Sequence, residues 1–570
     1  MYSSGFRNIR RALAVFLCAV LLLAFFGVSP STTQKAIAAT TNTTNYVFHT
    51  TEDWPTYIDP AVGNDFSDSI ALVNLYDSLV FPTPQGTVIP WLALKWTASK
   101  DGLVYTFTLR HGVKFHNGDP FTANDVVFSM NRLLTIGQGF AYIFKPYIKS
   151  TKATGTYTVV FTLKKSFGPF VSALPRLYIA DKKQVMAHIK TGTYGKALGD
   201  YGANWLLTHD AGSGPYTVKE MSMEDHLIAT KFSGFWGGWN ANAPQTFEES
   251  ATSQPSSELT AFAKRNLDIT DELLPLETYQ AIAKLKGATV VTYLNGHNLN
   301  IMLNTKKAPT DDVHFRKALA YAFDYNMVIK SIYPGSFVSK GPVPQSLLGH
   351  DPKVVGYTMN LEKAKAELAL SKYAKQLNQY PVTMSWCAEA PAEEKVALLF
   401  QADCAQIGVK VQITKKPFGS MIADATTIKT TPNASVVFVG VDYPEAGAML
   451  AIRYASTSAG SWEQCEWLQN SSIDKMISDA LGTIDQAARV KKYYAIQEKI
   501  VDLCPTIWVM DQAEQRAYQS AYIDWPVANA VKLHKTAVCS VLMGYGMYVH
   551  DIKAYPTNRA KLLSGSWPTS

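Results

Sequence analysis

A chain of 570 residues is too long for one hydrophobic core, so two or three domains are expected. At 47% hydrophobic and 17% charged residues it is a folded globular protein, which excludes bulk disorder. The formal charge is +7, but four of the 53 basic residues (Arg7, Arg10, Arg11 and Lys35) fall in the N-terminal segment; the remaining 49 face 46 acidic residues. The rest of the chain is therefore nearly neutral and has no basic block, which argues against nucleic acid as a partner.

The N-terminus reads as an export signal. Three arginines precede "ALAVFLCAVLLLAFFGV", and "AIAA" offers small residues for cleavage near Ala38. The predicted signal is residues 1–38, and the mature protein is expected outside the cytoplasm, periplasmic or associated with the cell surface. Cys18 follows a bulky Leu17 inside the apolar run and is a poor lipidation site. No later apolar run approaches the length of a membrane span. Five further cysteines stand at 387, 404, 465, 504 and 539, without a C-x-x-C pair, so neither zinc nor a redox motif is indicated. An odd count leaves at least one thiol unpaired. Cys465 with Cys504 is the one pairing put forward, and Cys404 reads as a buried thiol on an apolar helix face.

Next along the chain, "YIDPAVGNDFSDSIALVNLYDSLV" opens the mature part with a turn and a helix. In "YTFTLRHGVKFHNGDPFTANDVVFSMNRLL", Tyr105, Phe107 and Leu109 alternate with polar residues, which is the pattern of a half-buried strand. Asn117-Gly118 predicts a tight turn. Thr122 and Asp125 form a capping box for a helix whose apolar face is Val126, Val127, Met130, Leu133 and Leu134. His111 and His116 are five apart across a glycine, which neither a helix nor a strand brings to one metal. These histidines and aspartates read as scaffold, and no metal or other cofactor is expected.

"GSGPYTV" marks a break before a strand, "LDIT" a short strand, and Phe315, Leu319, Ala322 and Phe323 one face of a helix. "GPVPQSLLGHDP" is a Pro/Gly-rich loop. "EEKVALLFQADCAQIGVKVQI" is a helix stopped at Gly408, followed by a strand alternating at Val409, Val411 and Ile413. Helices alternate with strands throughout, as in α/β lobes.

The run "VIPWLALKWTASKDGLVYTFTLRHGVKFHNGDPFTANDVVFSMNRLL" resembles the signature region of family 5 extracellular solute-binding proteins, the peptide, nickel and dipeptide receptors of ABC importers. Its four parts stand in order: a "P-x-LA-x-x-W" run, a "DG-x-x-(Y/F)-x-F-x-LR" strand, a "G-V-x-F-H-x-G" turn and an "A-x-D-V-x-F-S" helix. The resemblance extends over nearly the whole mature chain. It implies a two-lobe clamshell with an extra domain inserted in the first lobe. The expected first lobe is 40–80, 212–297 and 522–570, the insert 81–211, and the second lobe 298–521. It also implies an ABC permease and its ATPase as partners, a monomer, and no enzymatic reaction.

Catalytic patterns are missing from the sequence. There is no G-x-S-x-G, H-E-x-x-H or P-loop. Glu389, Glu393 and Glu394 lie just before an apolar helical face, and the latter two read as an acidic first turn. The binding candidate is "SVVFVGVDYPEAGAMLAIRY", where a continuous apolar run ends in Asp442. In open α/β sheets ligands gather at the carboxyl ends of strands. This segment resembles the family's "D-Y-x-(D/E)-P" motif, whose aspartate grips a peptide's α-amino group; Asp442 and Tyr443 match, while Ala446 stands where Pro is usual. A helix cap or turn is the competing role for Asp442. Trp386, at the end of "PVTMSW", either stacks on a ligand or packs. His297, Asn298 and Asn300, near the expected lobe junction, either bond a ligand or serve a strand edge. Peptide is the expected solute, an oligosaccharide the runner-up, and a secreted hydrolase or a surface regulator without transport the rivals of a different class.

Overall fold

The computed structural model describes residues 45–567 except 53–55, 85, 252–253, 273, 389 and 535–543. The expected export signal, Cys539 and Glu389 lie outside the described residues.

The local signals in the signature run form the elements they predict. Val104–Leu109 is a strand with Tyr105, Phe107 and Leu109 inward. Gly118 takes φ +90°, the left-handed value that the Asn-Gly turn needs. Thr122 caps the helix Ala123–Ile136: its hydroxyl accepts from the Asn124 N–H, and the Asp125 carboxylate accepts from the Thr122 N–H at 2.8 Å. The two histidines point to different partners. His111 stacks on Tyr157 with ring centroids 3.9 Å apart. His116 is buried between the Asp210 carboxylate and the Gly214 carbonyl, so it ties the turn to "GSGPY". Among the described residues no cluster of His, Cys, Asp and Glu could hold a metal. This region is scaffold.

Three larger sheets carry the architecture. In the first, Val47–Thr51 pairs in parallel with Thr246–Ser250, and His226–Lys231 and Tyr216–Ser222 continue it antiparallel. In the second, Ala93–Ala98, Val104–Leu109, Thr158–Leu163 and Ile148–Gly155 form, in that spatial order, an antiparallel sheet within the segment expected as an insert. The third has six strands in the order Phe337–Val338, Thr506–Tyr518, Thr289–Leu303, Ala434–Val439, Val382–Cys387 and Val411–Lys416. Its Ala434–Val439 strand is buried along nearly its whole length, as a continuous apolar run requires.

Two strands, Thr289–Leu303 and Thr506–Tyr518, link the first sheet to the third. Ile269 of "LDIT" bridges Thr50 to Tyr518 and so joins one end of this pair to the first sheet. Their other end, Met302 opposite Thr506, lies within the six-stranded sheet. The ladder between them breaks register between Leu294 and Asn298, where the first strand advances four residues while its partner advances two. Gly296, at φ +82°, sits inside the break. Among the described residues no cysteine is in a disulfide, so the Cys465–Cys504 pairing is corrected. Each of those two is buried in a separate packing environment: Cys504 ends a helix in a left-handed cap, and Cys465 lies in a short turn. Cys404 is buried on its helix face, as expected. Among the described residues no helix is long and apolar enough to cross a membrane.

Candidate ligand-binding site

The Ala434–Val439 strand delivers the chain to a loop, residues 440–445, before the helix Ala446–Tyr454. This loop borders a cavity of about 610 Å³, within the usual range for small-molecule sites. Asp442 and Tyr443 line it from one side, and Tyr142, Tyr147, Lys165 and Phe167 from the other. Most of the remaining wall is aliphatic, from Ala448 to Leu481.

The Asp442 carboxyl is held among protein rather than water. Burial pushes its pKa upward, while the Arg176 charge, a hydrogen bond from the Tyr142 hydroxyl and the His297 ring act in the opposite direction. Arg176 donates its Nε–H to the main-chain carbonyl of Asp442 at 2.9 Å and an Nη1–H to Ser69 at 3.0 Å. The guanidinium thus fixes the backbone of the loop across from the insert segment. The aromatic wall is a continuous set of ring contacts. Tyr147 stacks on Phe167 at 4.1 Å and 12°, and Phe167 meets Tyr443 edge-on at 6.1 Å.

Glu445 pins the loop from beneath. Its carboxylate accepts from Arg489 Nε and Nη2 and from the Tyr493 hydroxyl at 2.8 Å, all buried. Arg489 also donates to the Thr483 and Ile484 carbonyls. Gly447 permits this approach, because a Cβ there would lie 2.4 Å from the Tyr493 hydroxyl oxygen. The main chain of the Pro/Gly loop adds a bond from the Ala446 N–H to the Leu348 carbonyl at 2.8 Å. Glu445 was not a predicted site residue. Its place three residues after Asp442 was the available signal, and its buried partner, Arg489, is distant in sequence.

The other predicted residues divide. His297 does not line the cavity, but it packs against the Asp442 loop: a Cβ on Gly440 would be 2.2 Å from its Cδ2 and Nε2. It is held by Asn295, which in turn donates to Glu514, and desolvation lowers its pKa. Asn298 and Asn300 are fully buried in the third sheet, opposite Val439 and Val437, and bond to each other. Trp386 is buried as well, with the Lys415 ammonium 5.2 Å from its ring centroid. None of these three lines the cavity. Glu393, in the first turn of its helix, accepts from the Cys387 N–H and is structural.

The model of the bacterial extracellular solute-binding proteins, family 5, matches residues 87–461, about two thirds of the chain. The chain belongs to that family. This receptor is 27% identical over 481 residues to a protein of Escherichia coli K12 named "Probable D,D-dipeptide-binding periplasmic protein DdpA", covering 82% of the chain and 88% of that relative. It is 28% identical over 468 residues to the E. coli K12 "Dipeptide-binding protein", covering 76% and 83%. Among solved structures, the periplasmic binding protein DppA of Helicobacter pylori, in complex with the peptide STSA, superposes with a TM-score of 0.73 at 21% identity, over 90% of the chain and 99% of that structure. The fold is therefore the α/β architecture of this class, and the protein is an extracytoplasmic solute receptor, not an enzyme.

Proposed function

We propose that this receptor binds a short peptide carrying a free α-ammonium group and delivers it to an ABC permease and its ATPase, acting as a monomer. The observation that carries the reading is the Asp442 carboxylate on the cavity wall, with its pKa pushed up by burial. A carboxylate in that environment gains most from a ligand cation, because in a dry site the charge pair is little screened. Tyr443, the aromatic wall and the aliphatic surround suit a peptide's mixed polarity. His297 supports the loop from behind through Gly440. Relatives named for dipeptides accord with this assignment.

The domain division proposed is a first lobe of 40–80, 212–297 and 522–570, an insert of 81–211 and a second lobe of 298–521. The register break at residues 294–298 of the linking strands supports a hinge there, where the ladder is weakest. Ligand closes the lobes by stabilising the closed state through contacts the open state lacks.

The test is calorimetric titration with free and N-acetylated dipeptides of the same sequence. Acetylation removes the ammonium and strands the carboxylate, which should cost about 2–5 kcal/mol of affinity. Asp442→Asn should abolish the preference for the free amine. Equal affinity for both forms, or binding of oligosaccharides alone, overturns the assignment.

A further inference from the structure

We propose that Glu514 is a positioning residue of the binding site: acting across the register break through Asn295 and His297, it fixes the loop that carries Asp442. The inference rests on the reading of Asp442 as the ligand's anchor.

Tyr293 and Glu514 stand opposite each other on the linking strands, just before the register break. The Glu514 carboxylate is buried and accepts from the Tyr293 hydroxyl, from Arg516 Nε at 2.8 Å and from Asn295 Nδ2 at 2.8 Å. Each of these is a donor, so the carboxylate serves as acceptor only. Arg516 ties it to the first sheet. The guanidinium donates to the Thr270 carbonyl at 3.0 Å and to Glu52, the residue after the Val47–Thr51 strand, at 2.6 Å.

Asn295 passes this orientation on. Its amide has a donor end and an acceptor end of the same shape, and its neighbours decide which way it points. Nδ2 must face Glu514, which leaves Oδ1 to accept the His297 N–H at 2.9 Å. The second Nδ2 proton is directed to His297 Nδ1 at 3.1 Å, with Gln512 Oε1 farther away at 3.3 Å. Nδ1 is then an acceptor, and the ring proton sits on Nε2. This is the neutral ring, in keeping with the desolvation that lowers its pKa. The edge so defined, Nε2 and Cδ2, is the one that meets Gly440, two residues before Asp442. A carboxylate on one linking strand thus sets the tautomer of a ring beyond the break, and that ring backs the ligand loop. Glu272 supplies the contrast: it lies against the same guanidinium, but among the described residues it makes no bond to Asn295 or His297. A role confined to stability would make Glu272 and Glu514 equivalent.

The experiment compares the full mature chain with Glu514→Gln, Asn295→Ala and Glu272→Gln by three readouts: affinity for alanine dipeptide, the His297 tautomer by nitrogen NMR without ligand, and hydrogen exchange at residues 440–445 without ligand. In Glu514→Gln, Arg516 keeps the new amide's oxygen, so its NH₂ faces Asn295, overturns that amide and moves the ring proton toward Nδ1. Dipeptide affinity should fall about tenfold, the effect of one or two hydrogen bonds, and exchange in the loop should quicken. Asn295→Ala should show the same loss of affinity and faster exchange. Glu272→Gln should match the wild type in all three readouts, although both Gln variants take one carboxylate from Arg516 and should shift the melting temperature alike. An unchanged tautomer and loop exchange in Glu514→Gln, or an equal loss of affinity in Glu272→Gln, overturns the positioning role. If the wild type binds no dipeptide, the peptide reading falls, and the two readouts taken without ligand still decide whether Glu514 fixes the loop.

Discussion

Glu445→Gln should destabilise the receptor and weaken its ligand site together. The substitution keeps an acceptor for the Tyr493 hydroxyl but removes the charge facing Arg489, in a pair whose side chains are 3% and 1% exposed. Breaking a buried pair by removing one partner costs about 3–5 kcal/mol. Arg489 retains the Thr483 and Ile484 carbonyls at 2.8 and 2.9 Å, so the lower end applies, about 3 kcal/mol. With an unfolding entropy of about 2.1 cal/mol/K per residue over roughly 500 residues, that is a fall of only ~3 °C in melting temperature. Chemical denaturation is therefore the better readout. Because the Glu445 N–H also donates to the Tyr443 carbonyl, the loop carrying Asp442 should loosen, and peptide affinity should drop at temperatures where the variant is fully folded. Arg489→Met should behave similarly, and the double variant should cost less than the two singles summed. A loss below about 1 kcal/mol with unchanged affinity would mean that the pair does not hold the loop.

His116→Gln tests the scaffold role of the signature turn. Both ring nitrogens face acceptors, and the pair with Asp210 raises the His116 pKa against the opposing effect of burial. A raised histidine contributes stability that is full below its ordinary pKa and lost as pH rises through the raised value. The gap between wild type and variant should narrow on that rise; a constant gap in denaturation curves across the range would refute the charged-ring assignment. Glu258 lies buried beside Asp271, and its pKa is pushed up to about 7, chiefly by burial. The folded state holds a proton that the unfolded chain has released, so stability should fall between about pH 5 and 7. Glu258→Gln should flatten that fall, and an unchanged slope by urea titration would count against it. Gly440→Ala should force the His297 ring off the strand at a cost of about 1–3 kcal/mol and reduce peptide affinity. Wild-type affinity in a folded Gly440→Ala variant would remove His297 from the support of the site. Peptide binding itself should weaken as pH falls through the raised pKa of Asp442, since protonation removes the anionic anchor; calorimetry at two pH values reads this.

Much of this protein was legible before its fold was known, wherever the cause was local. Thr122 and Asp125 satisfy helix N–H groups within one turn, the alternation of Tyr105, Phe107 and Leu109 follows the two-residue period of a strand, and Asn117-Gly118 permits one turn geometry. The apolar run ending at Asp442 put a carboxylate at a strand end, and the structure places it on a cavity. What the chain alone could not reveal was set by distance in sequence. Lys165 and Tyr147 share a cavity with Asp442 only because a segment nearly 300 residues earlier comes to face its loop. Glu445 has a buried partner in Arg489, forty-four residues on. Trp386 carries the same residue chemistry whether it stacks on a ligand or packs in a core; only the tertiary structure shows it buried and off the cavity wall. Short-range hydrogen bonds and side-chain periods are written in neighbouring residues, whereas a cavity is made by whichever surfaces come to face each other.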